Sequence, residues 1–88
     1  MKLKPLATAP GSDVATRIQD AILRELPGSL VRVTAANPGH FNISVTSEAF
    51  RGQSRLACQR LVYKAMGSLL QGDAAPVHAV DNLETKVP

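Results

Sequence analysis

The chain has 88 residues, of which 44% are apolar and 19% charged, with a formal net charge of +3. A chain of this length forms one small domain that buries about 60% of the surface its unfolded form exposes, which argues against a deep pocket between two lobes, while the apolar share excludes wholesale disorder. Ten basic residues are spread without a dense block and the only aromatic residues are Phe41, Phe50 and Tyr63, so charge and stacking potential select no nucleic-acid partner by themselves.

Residues 1–11 mix Lys, Pro, Ala, Thr and Gly without apolar periodicity and read as a flexible lead-in, with the domain expected over 12–88. Ser12 or Asp13 can cap a helix in which Val14, Ile18, Ala21, Ile22 and Leu26 recur at three and four residues, leaving Arg17, Asp20 and Arg24 outward. Pro27-Gly28 ends it. Val31, Val33 and Ala35 then alternate with Arg32 and Thr34, and Phe41, Ile43 and Val45 alternate with Asn42, Ser44 and Thr46. Two period-two strands joined through Asn37-Pro38-Gly39 predict an antiparallel hairpin.

From about Ser54 to Leu70 the period returns to 3.6, with Cys58, Leu61, Val62, Ala65 and Leu69 on one face and Arg60 and Lys64 on the other. Residues 72–76 read as a loop, and Val77-His78-Ala79-Val80 opens a last strand that continues unevenly through Leu83 and Thr85. The order is α-β-β-α-β. Two helices cover one face of a three-stranded sheet, which predicts an α+β two-layer sandwich.

A single cysteine, Cys58, excludes an internal disulfide framework and fits a reducing compartment. No apolar run approaches the roughly 18 residues of a membrane span, and Pro5 and Pro10 interrupt any leader-like start. The expectation is a cytoplasmic protein without a membrane partner, the alternative being the mitochondrial matrix or another organelle of bacterial origin.

The segment Ser47-Glu48-Ala49-Phe50-Arg51-Gly52-Gln53-Ser54, followed by Gln59-Arg60-Leu61-Val62-Tyr63 and then Val77-His78-Ala79, resembles the BolA family. Members of that family carry Phe-x-Gly-x-Ser, then Arg-His-Arg-x-Val-Tyr on a helix, then a His-Ala pair on the last strand. The resemblance implies the αββαβ order, related to type II KH domains, that periodicity also predicts, and, because the family reaches its Thr-x-Pro-like finish slightly sooner after this histidine, a bulge or turn at Asp81-Asn82. Within the motif Phe50 reads as a core plug, Gly52 as a turn residue and Ser54 as a helix cap.

The resemblance further implies a non-enzymatic adaptor that binds a monothiol glutaredoxin and shares a [2Fe-2S] cluster with it, the partner's cysteine and glutathione supplying thiolates. It places His78 at the family's ligand on the last strand, a role suited to an imidazole nitrogen, which can replace a thiolate on one iron. Read without it, His78 is a strand histidine hydrogen-bonded at a sheet edge. The family draws a second ligand from the loop between the first two strands, where this chain has Asn37, a poor iron ligand; His40, directly after the loop, is the substitute, or else a solvated hairpin residue. No cofactor is expected in the isolated chain, which would be a monomer or a weak homodimer.

Cys58 lies on the apolar helix face and reads as a small buried side chain. Cys58-Gln59-Arg60 keeps only the last residue of the family's Arg-His-Arg. Arg51, Arg55, Arg60 and Lys64 load the long helix with charge that could meet an acidic partner or phosphates, or simply be solvated, but they do not form a single stripe. The alternative function, implied by the same family, is DNA-binding transcriptional regulation of cell morphology and stress response. Against it, the Gly-x-x-Gly loop with which a KH domain grips backbone is absent from the sequence. An enzyme is not expected, because no nucleophile-base order, carboxylate pair or phosphate loop occurs.

Overall fold

In the computed structural model, which describes residues 12–72 and 75–88, the first element is helix α1 (Ser12–Glu25). Its inward positions Ile18, Ala21 and Ile22 are buried, as is Leu26 just beyond it, while Arg17, Asp20 and Arg24 are exposed. The expected stripe is therefore the one used. The lead-in expected over residues 1–11 and the caps expected from the side chains of Ser12 and Asp13 lie outside the described residues. Gly28 turns the chain with φ of 83°, a conformation glycine adopts without steric cost.

Strands β1 (Leu30–Asn37) and β2 (His40–Thr46) pair antiparallel, with Val31 opposite Val45 and Ala35 opposite Phe41. The hairpin is tighter than the sequence suggested. Asn37 belongs to β1 and faces His40 across a two-residue turn, Pro38-Gly39, and the register shifts between Ala35 and Asn37. Proline followed by glycine at φ of 79° is the residue pattern of a type II turn. Val31 is buried and Val33 half-buried, but Ala35, expected inward, is exposed on the length of β1 leading to this turn.

Strand β3 (Ala79–Lys86) lies parallel to β2 on its other side, giving the order β1-β2-β3 in a mixed sheet. Parallel neighbours cannot be joined by a tight turn. The connection is a 3-10 turn (Glu48–Phe50), helix α2 (Arg55–Met66) and a second 3-10 turn (Gly67–Leu70). Helix α2 is thus shorter than the expected run to Leu70. Gly67, with φ of 42°, leaves helical geometry, and Leu69 reaches the core from the 3-10 turn instead.

One core forms between the helices and one face of the sheet, containing Ile18, Ile22, Phe41, Val45, Phe50, Val62 and Met66, all essentially inaccessible. The inward ridge of α2 is Cys58, Val62 and Met66, at successive spacings of four, with Leu61 and Ala65 only half-buried beside it. Phe50 plugs the core, Gly52 turns at φ of 78°, and the Ser54 hydroxyl accepts from the Ala57 N–H at 3.0 Å as the cap of α2. The architecture is the two-layer α+β sandwich that periodicity predicted.

Candidate functional site

Two parts of the chain converge at the hairpin end of the sheet. The Gly39 carbonyl accepts from the backbone N–H of His78 at 2.8 Å and of Ala79 at 3.0 Å, while His40 is the strand partner of Ala79. His78 therefore stands one residue before β3 rather than in it, tied to the turn by its main chain. Its ring packs on Gly39: a β-carbon at position 39 would lie 2.7 Å from Nδ1 and 2.8 Å from Cγ of His78. Glycine is needed there twice, for the positive φ and for the ring.

His40 opens β2 on the face turned away from the core, since its neighbour Phe41 is fully buried. Its Nδ1 lies 3.0 Å from Oδ1 of Asp81, with the two side chains 41% and 40% exposed. Asp81 reaches it from an interruption in β3: Phe41 pairs with Val80 and Asn42 with Asn82, so Asp81 is the extra residue of a bulge. The interruption expected at Asp81-Asn82 is present. It has a cause legible in the residues, because Val80 and Leu83 both pack on the core yet stand three apart, a spacing that places them on opposite faces of a regular strand.

The two candidate ligand histidines thus adjoin one glycine. Asn37, the residue at the family's loop position, is exposed and pairs across the turn with His40. Cys58 does not belong to this group: it is buried on α2, its Sγ 3.9 Å from the Phe50 carbonyl and 4.0 Å from that of Gln53, contacts of the weak thiol type. Among the described residues, no three His, Cys, Asp or Glu side chains are grouped so as to hold a metal ion. Two imidazoles at one sheet end suit a metal group whose remaining donors come from elsewhere.

The four basic candidates are not brought together. Arg51 lies before α2, not on it, and is bound to Glu48 by two hydrogen bonds, Nε to Oε1 at 2.8 Å and Nη2 to Oε2 at 2.9 Å. Hydrogen bonding to Arg51 holds the Glu48 carboxyl below its ordinary range, and the same bond raises the arginine. Arg55 lines a groove with Phe50, Cys58 and the second half of β3, whereas Arg60 and Lys64 line another with Leu56 and Leu61. Tyr63 is 40% exposed.

Sequence reasoning did not identify Gly39 and Asp81 as residues that organise the histidines. The turn-forming Pro-Gly pair and the broken alternation of β3 were the signals for their backbone roles; their side-chain neighbours depend on pairings between distant segments.

Among the described residues, no helix is long and apolar enough to cross a membrane. No curated protein gives a significant match. A family profile described as BolA-like protein matches residues 27–88. The chain is similar to a bolA protein homologue from Coxiella burnetii, with a TM-score of 0.68 and 36% identity, covering 83% of this chain and 88% of that one. It is also similar to BolA1 from Arabidopsis thaliana, with a TM-score of 0.68 and 26% identity over 84% of this chain and 90% of that one. The BolA domain of SufE1 from Arabidopsis thaliana shares the fold at a TM-score of 0.68 and 23% identity, over 85% of this chain and 92% of that one. With the profile spanning β1 through β3 and the Coxiella homologue matching across most of both chains, this chain belongs to the BolA-like protein family.

Proposed function

We propose that this chain is a non-enzymatic adaptor that binds a monothiol glutaredoxin and shares a [2Fe-2S] cluster with it, in iron-sulfur trafficking or iron and redox regulation. The observation that carries the reading is that His78, its ring against Gly39, and His40, the residue after Gly39 and strand partner of Ala79, stand at the same end of the sheet. The donor chemistry fits: neutral imidazole nitrogens can stand in for thiolates on iron, and the glutaredoxin cysteine with glutathione would complete the set. The cluster itself is cargo held between two proteins. Exposed Arg60 and Lys64 on α2 support attraction of an acidic partner surface. An unpaired, buried Cys58 is consistent with the cytoplasm as the place of action.

The test mixes the chain with a monothiol glutaredoxin, glutathione, iron and sulfide and records visible absorption and circular dichroism. A spectrum distinct from that of the glutaredoxin alone is expected, and an identical one defeats the proposal. His78→Ala should remove the mixed signal and, since the side chain is exposed, change stability by no more than about 0.5 kcal/mol. A His78→Ala variant that keeps the full mixed spectrum would exclude this histidine as a ligand.

A further inference from the structure

The bulge in β3 does more than restore alternation. It inserts Asp81 between residues whose partners on β2 are consecutive, and the Asp81 carboxylate lies 3.0 Å from Nδ1 of His40. Both side chains are about two-fifths exposed, and at that exposure an ion pair contributes little to stability. Its consequence is directional. An ionised carboxylate can only accept a hydrogen bond, so the nitrogen it touches must be the one that carries hydrogen.

We infer that Asp81 is a positioning residue, which holds neutral His40 as the Nδ1–H tautomer and leaves the Nε2 lone pair as the nitrogen available to an acceptor of electron pairs. The position of the His40 main chain is set by the sheet, because His40 is paired with Ala79 and cannot slide without shifting Phe41 out of the core. A carboxylate on the far nitrogen of a ligating histidine fixes both tautomer and ring orientation and raises ligand basicity. The inference deepens the cluster-sharing reading and rests on it for the identity of the metal group, but not for the state of the imidazole in the free chain.

The experiment is long-range proton–nitrogen correlation NMR on the full chain labelled with nitrogen-15, at a pH where the imidazoles are neutral. The expected result is an Nδ1–H pattern for His40 in the parent. In Asp81→Ala the ratio of Nδ1–H to Nε2–H should fall about 2- to 10-fold, the range corresponding to one hydrogen bond of ordinary net strength. Asp81→Asn, whose amide oxygen still accepts, should retain the Nδ1–H form and so separate loss of the acceptor from any change in the bulge. An Nε2–H pattern in the parent, or a ratio unchanged in Asp81→Ala, overturns the inference. The same variants mixed with glutaredoxin, glutathione, iron and sulfide keep the two readings apart: absence of a mixed spectrum in the parent defeats the adaptor proposal while the tautomer measurement still decides the role of Asp81.

Discussion

The two ends of the central strand β2 are built on opposite terms. Beyond its C-terminal end, polar groups are satisfied within the chain: Ser47 caps the 3-10 turn by accepting from the Ala49 N–H and ties its own N–H to the Lys86 carbonyl, Ser54 caps α2, and Glu48 binds Arg51. Phe50 seals this end at 2% exposure. At the N-terminal end, exposed His78 lies against a glycine, and His40 is held at one ring nitrogen by an exposed carboxylate. The dense motif is thus architectural, while the two histidines stand at the more exposed end.

The largest expected departure comes from breaking the closed end. Phe50→Ala should cost about 3 to 5 kcal/mol in urea denaturation, a large part of the roughly 5 to 15 kcal/mol that holds a domain together; a cost under about 1 kcal/mol would mean that Phe50 does not seal the core. A smaller loss is expected where the open end is organised. Gly39→Ala forces a side chain into φ of 79° and against the His78 ring, which should cost about 1 to 2 kcal/mol and shift the His78 ring resonances. Unmoved His78 resonances would show that the ring does not rest on Gly39.

The smallest effect is the exposed Glu48–Arg51 pair. A carboxylate whose folded pKa is depressed contributes stability above its unfolded pKa and loses it as pH falls through the folded value. Arg51 depresses Glu48 in this way. Glu48→Gln should therefore be slightly less stable than the parent at neutral pH and converge with it on the acid side of the ordinary carboxylate range. The gap is small because water screens both partners; a gap that widens on acidification would contradict the pairing.

Much of the fold was legible because local patterns carry it. Ile18 and Ile22 announce α1 by their spacing, Phe41, Ile43 and Val45 announce β2 by alternation, and Ser54 marks the start of α2 by its capping chemistry. The end of α2 was not legible in the same way. Leu69 continues the apolar period past Gly67, and only the backbone turn at that glycine shows that the period is completed by a 3-10 turn. Likewise Met66 enters the core because the ridge used is Cys58, Val62, Met66, a choice made by the sheet beneath α2.

The site divides along the same line. His78, His40 and the irregularity at Asp81-Asn82 could be named from the resemblance of the residue order to a family pattern, which is a property of a one-dimensional string. That His78 lies on Gly39, that Arg51 is taken up by Glu48 before α2 begins, and that Asp81 meets His40 could not. The Arg51–Glu48 pair is local, three residues apart, and needs only the 3-10 turn between them, whereas the other two contacts depend on the parallel placement of β3 beside β2 and on its register to within one residue. Burial of Val80 and Leu83 on the same face selects that register, and the bulge it requires delivers the carboxylate to the histidine.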